Sequence, residues 1–165
     1  MLRVVGPQIP ARNLLVIALV EALRARGLRT ATAELLADGR ATVTLPSGGR
    51  VTPAPGSAPL GEASALSSFL ASLDPRADLV IAEDYEQPGV PAIELTTAAA
   101  STREAPAPDD LLASVEAERL ERDFTARGAE AVADLAALVE ARLLRGEPPS
   151  EGGLLARLRG RLRRG

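Results

Sequence analysis

The stretch Gly6 to Leu15, GPQIPARNLL, joins a short apolar run, LRVV, to a long amphipathic segment. Phosphate chemistry belongs at such a junction. In the pattern G-x-x-x-x-G-K-[ST], successive backbone N–H groups curl around the phosphates. The lysine sits by the β- and γ-phosphates, and a hydroxyl ligates Mg²⁺. Here Gly6 is followed, at that spacing, by Ala11, Arg12 and Asn13. Pro7 and Pro10 remove two N–H donors and fix φ at about −65°. Ala11 resists the positive φ that a second glycine would take. Arg12 brings a planar fork in place of a compact ammonium. Asn13 is a poor Mg²⁺ partner but a good helix N-cap. Three readings stay open: a plain strand-to-helix turn, a weak anion site at a helix N-terminus beside Arg12, and a working nucleotide site.

A second group of chemical residues is acidic. Asp78, Glu83, Asp84 and Glu86 fall around one apolar run, DLVIA. At the carboxyl end of a parallel strand, they would face the same crevice as Gly6 to Asn13. Asp78 and Glu83 could offer hard oxygens to Mg²⁺ or Ca²⁺. Glu83 could instead pair with Arg12, filling the phosphate position from within. A solvated acidic loop is the third reading. No spacing singles out a pair of carboxylates for hydrolysis.

Composition narrows the chemistry further. The 165 residues include no His, no Cys and no Lys, so all 19 cationic side chains are Arg. A Ser-His-Asp triad, a thiolate nucleophile, a Schiff-base lysine and a His-ligated zinc are therefore excluded within this chain. GC-rich coding is a sufficient reason for that bias. The absence of Cys and of any apolar run of 18 or more residues fits a cytoplasmic protein without a membrane span. Only Phe69, Tyr85 and Phe124 are aromatic, so a core must come from Leu, Val, Ile and Ala.

The elements that must position these groups follow from periodicity. Leu2 to Gly6 reads as a buried strand. Leu14, Leu15, Ala18, Leu19, Ala22 and Leu23 recur at helical spacing over Asn13 to Arg26, and Gly27 stops the helix. Leu28 to Leu36 reads as a second strand, completing a βαβ unit. Alternating residues on both sides of PSGG predict a hairpin. A helix is expected over Glu62 to Leu73, and strands over Asp78 to Ala82 and Ala92 to Leu95. Two helices should follow, the first capped by Asp109 and Asp110, the second spanning Ala129 to Leu144. The expected fold is α/β: three layers, P-loop-like, with a mostly parallel sheet plus C-terminal helices. Its parts are an α/β domain over 1–100, helices over 109–145 packed on it, and a basic amphipathic tail over 150–165.

That tail is the third feature. Residues 151–165 carry five Arg and one Glu, net +4, against 14 Arg and 21 acids, net −7, in the preceding 150. Leu154, Leu155, Leu158 and Leu162 form an apolar stripe among the arginines. Such a segment can dock on its own acidic body, on a partner protein, on an anionic membrane or on nucleic acid. With no aromatic residue in it, stacking on bases and anchoring at a lipid interface are the least favoured.

The layout of VVGPQIPARNLLVIALVEALRARGLRTA (Val4 to Ala31) and DLVIAEDYEQPGVPAIEL (Asp78 to Leu95) resembles the molybdopterin-guanine dinucleotide biosynthesis protein B family (MobB). These P-loop proteins are associated with molybdenum cofactor maturation. By position, Gly6 matches the family's first loop glycine, while Ala11, Arg12 and Asn13 fall where Gly, Lys and Thr are expected. Asp78 and Glu83 match acidic positions of its Walker-B-like segment, Tyr85 its aromatic position, and Pro91, Ile93 and Glu94 its P-x-I-E element. Asp84 replaces a glycine. The family's His- and Lys-containing segment has no counterpart between Glu34 and Gly61.

The resemblance implies an accessory or adaptor protein with an impaired nucleotide site, working through contacts with a protein of cofactor or molybdoenzyme maturation, or as a homodimer. The alternatives are a protein that binds GTP or ATP with Mg²⁺ using Arg12 in place of lysine, and an unrelated interaction module using the arginine-rich tail.

Overall fold

The computed structural model describes residues 1–85, 87–97 and 109–147. It is an α/β fold built on one seven-stranded sheet with the order β4-β3-β2-β5-β1-β6-β7. The strands are β1 (Leu2–Val5), β2 (Thr30–Leu35), β3 (Ala41–Thr44), β4 (Arg50–Val51), β5 (Leu79–Glu83), β6 (Ala92–Thr96) and β7 (Leu111–Glu116). β2, β5, β1, β6 and β7 run parallel, and β3 and β4 add an antiparallel hairpin at one edge. Pro46 to Gly49 makes its turn, as the alternation around PSGG predicts.

Strand periodicity sorts the core into two layers. Along β5, Leu79 and Ile81 point to one face, and Val80 and Ala82 to the other. The first face packs against α1 (Pro10–Ala25), α3 (Ala117–Arg127) and α4 (Ala133–Val139), through Leu15, Leu19, Leu23, Leu120, Leu135 and Val139. The second is covered by α2 (Ala63–Leu73), through Leu66 and Leu70. Each fully buried leucine contributes roughly 2 kcal/mol of transfer free energy. With so few aromatics, these aliphatic stripes carry the packing. α1 closes in a Schellman motif: Gly27 takes φ +85°, and the N–H groups of Leu28 and Gly27 reach the carbonyls of Leu23 and Arg24.

Two expectations are corrected. Asn13 does not cap α1. Ile9 is the N-cap residue, Pro10 occupies the first turn, and Asn13 lies exposed inside the helix. Proline's fixed φ and missing N–H suit the first helical position, so the helix begins three residues early. The segment after Asp110 does not begin as a helix but as β7, parallel to β6. Asp110 caps nothing: its carboxylate accepts the Gly89 N–H at 2.9 Å and sits 3.6 Å from Arg3 Nη2. The following stretch is helical as expected, broken at Gly128 (φ +55°) and continued as a 3-10 turn (Gly128–Val132), α4 and a π-helical turn (Glu140–Leu144). Among the described residues, no helix is long and apolar enough to cross a membrane. The basic tail and most of the small-residue connector after β6 lie outside the described residues, as does Glu86.

Candidate functional site

The sheet order reverses direction at β1, with β2 and β5 on one side and β6 and β7 on the other. Ligands of open α/β sheets gather beyond the carboxyl ends of the strands at such a point. β1 ends there in Gly6, and the register places Val4 opposite Glu83. Residues Gly6 to Asn13 and Glu83 to Asp84 therefore meet, as the spacing of the two segments implies.

What they form is an ion pair within the chain. Arg12 Nη1 and Nη2 donate to the two carboxylate oxygens of Asp84 at 2.8 and 3.0 Å, a bidentate fork. Gln8 Nε2 donates to Asp84 Oδ1 at 3.2 Å. Arg12 Nε lies 3.4 Å from Glu83 Oε2, close enough for charge attraction but without a hydrogen bond. The Arg12 side chain is 8% exposed, Glu83 15% and Asp84 29%. Asp84 holds φ +62° and, among the described residues, is the one non-glycine residue with positive φ. Asp tolerates this conformation better than most residues, and it swings the carboxylate off the strand direction and onto Arg12.

The loop that should cradle phosphate is occupied by its own bonds. Pro7 and Pro10 have no N–H. The Ile9 N–H goes to the Pro7 carbonyl at 2.9 Å, and the Arg12 N–H to the Ile9 carbonyl at 2.9 Å. Ala11 is fully buried in the core. Gly6 has a structural reason to be glycine: at φ +131° a Cβ added there would run into the carbonyl of Leu95 on the neighbouring strand.

Asp78 is not part of this site. It precedes β5 while Glu83 ends it, so the two stand about 17 Å apart at a rise of about 3.3 Å per residue. Asp78 instead accepts the Arg29 N–H at 2.8 Å, fastening the start of β2. The proposed Asp78–Glu83 metal pair is therefore corrected by topology. Among the described residues there is also no group of three or more His, Cys, Asp or Glu suited to a metal. Tyr85 is buried, not a ligand contact: its hydroxyl donates to the Leu60 carbonyl at 2.8 Å, and burial pushes its pKa up to about 12. Arg3, which sequence reasoning missed, anchors the loop after β5 by donating from Nε to the Val90 carbonyl at 3.0 Å. A buried arginine on a central strand was the available signal.

The proton affinity of Glu83 is shifted by its surroundings. Burial raises its pKa above the ordinary carboxylate value; Arg12 opposes this, while Glu34 and Asp84 add to it. Between the ordinary value and the raised one, the unfolded chain ionises first while the folded chain keeps its proton. Stability is therefore lost as pH rises through that window. Asp38, Asp74 and Glu140, whose arginine hydrogen bonds lower their pKa, act only below the ordinary carboxylate range. As pH falls from neutral toward the ordinary carboxylate range, wild type should gain stability relative to Glu83→Gln. Denaturant midpoints of both proteins across that range check this, and parallel curves would contradict it.

Neither the models of known protein families nor the curated proteins give a match to this chain.

Proposed function

We propose that this chain is a non-hydrolysing α/β adaptor on a P-loop-like frame, and that it serves molybdenum cofactor maturation through protein contacts. One observation carries the non-hydrolysing part: the Asp84 carboxylate lies on the Arg12 fork where a nucleotide phosphate would need to lie. An anion entering this place must displace a bidentate partner already held at effectively intramolecular concentration. It would also find two prolines and two bonded N–H groups in place of a nest. The setting is supported by the sequence layout of Val4 to Ala31 and Asp78 to Leu95, and by a strand, loop and helix facing an acidic strand end in this chain.

Isothermal titration with GTP and ATP in the presence of Mg²⁺ tests the reading. Wild type should release no binding heat at micromolar nucleotide, and no phosphate should appear. Asp84→Gly removes the internal anion and fits the positive φ, so it should acquire weak affinity for inorganic phosphate without gaining hydrolysis. Micromolar nucleotide binding with turnover by wild type would overturn the proposal and favour the reading in which Arg12 replaces the lysine.

A further inference from the structure

Among the described residues β7 ends the sheet, and no described strand pairs with its outer side. A cavity of about 640 Å³ runs along it, bounded by α3 and by residues 130–135. Its floor is apolar, from Leu111, Ala113, Val115, Leu120 and Val132. Its rim is acidic: Glu116, Glu130 and Asp134 are exposed there. The two rim arginines, Arg119 and Arg127, both lie on Asp123, at 3.8 and 2.9 Å. The result is an apolar trough with excess negative charge beside an open strand edge. Native proteins commonly cover such an edge with a helix or loop.

We propose that residues 151–165 of this same chain occupy the trough, laying the Leu154, Leu155, Leu158 and Leu162 stripe on its floor and setting the arginines against Glu116 and Glu130. The charges are complementary, five Arg and one Glu on the segment against the acidic rim. The lengths also agree. Twelve residues, 154–165, span about 18 Å if helical, and the eleven residues of α3 span about 16 Å. The tether reaches. The stretch from α4 through the π-helical turn can carry the chain at most about 18 Å from the trough. Residues 148–153 can return up to about 20 Å. A tether this short gives an effective concentration of roughly millimolar, so even a weak site fills from within the chain first. This inference is independent of the nucleotide question and stands or falls separately from it.

The absence of cysteine from the chain makes the test clean. Ala156→Cys in the full-length protein, carrying a nitroxide spin label, is compared with its reduced form by NMR. The amides of Ser114, Glu116 and Glu130 should lose intensity, equally at high and low protein concentration. Glu116→Arg combined with Glu130→Arg, both exposed positions, should restore Ser114. Undiminished intensity at all three amides overturns the proposal. So does broadening in a mixture of labelled chain and isotope-enriched unlabelled chain, which would make the occupant a second copy.

Discussion

Gly6→Ala is expected to cost the fold about 4 kcal/mol, a loss of about 10 °C in Tm for a chain of this length. Two effects add. At φ +131° a Cβ is strained wherever it points, at about 1–3 kcal/mol. The new methyl would also run into the Leu95 carbonyl oxygen and lie 3.1 Å from Leu95 Cβ. Relieving such a clash in a packed core costs a further 1–3 kcal/mol or so. Because β1 and β6 are hydrogen-bonded neighbours, neither can retreat without loosening the sheet. Gly27→Ala is the control: φ is +85°, and no heavy atom lies within 4 Å of its added Cβ. It carries the backbone strain alone, about 1 kcal/mol. Thermal or urea denaturation of both variants separates the terms. Equal losses would mean that the approach of Leu95 carries no weight. The first glycine of the loop pattern is thus explained by the sheet, without any call on phosphate.

The contrast between elements shows what sequence patterning could and could not reveal. α1, α2 and the β3–β4 hairpin were legible because their periods are local: 3.6 for the Leu15, Leu19, Leu23 stripe and 2 around PSGG. β7 was not. In LLASVE, Leu111, Leu112 and Val115 suit a helix face as well as a strand, and the acids before it imitate a helix cap. What makes it a strand is β6, whose paired residues lie about 20 positions earlier in the chain. That pairing is a tertiary choice which overrides local preference.

The site was legible in outline. Arg12 and the acidic end of β5 do come together, but the main partner is Asp84 in place of Glu83. The available signal was Asp84 at a position where the resembling family has glycine. Such a position calls for positive φ, and Asp is among the few residues that accept it. Asp78 misled because five residues of sequence separation look close, while along a strand they place its ends far apart.

The Arg12–Asp84 pair should show strong coupling in a double-mutant cycle. Arg12→Met keeps most of the stem's packing but leaves Asp84 with Gln8 alone and Glu83 buried without its counter-charge. Removing one partner of a fully buried pair costs about 3–5 kcal/mol. Asp84 keeps 29% exposure, so water recovers part of this, and about 2–3 kcal/mol is expected. Asp84→Gly has two opposed effects: it strands the Arg12 fork, yet it relieves a positive φ worth about 1 kcal/mol. Its net loss should therefore be smaller than that of Arg12→Met. In the double variant neither charge is left facing an empty place, so it should be more stable than the sum of the single losses predicts, by about 2 kcal/mol. Urea denaturation of the four proteins measures this directly. A coupling under about 0.5 kcal/mol would mean that Asp84 holds Arg12 too weakly to keep an anion out. The two halves of the proposal are joined at this point. In the proposed reading, the bidentate pair that stabilises the strand-to-helix junction is also what a phosphate would have to displace, so a stronger pair means a firmer junction and weaker anion binding.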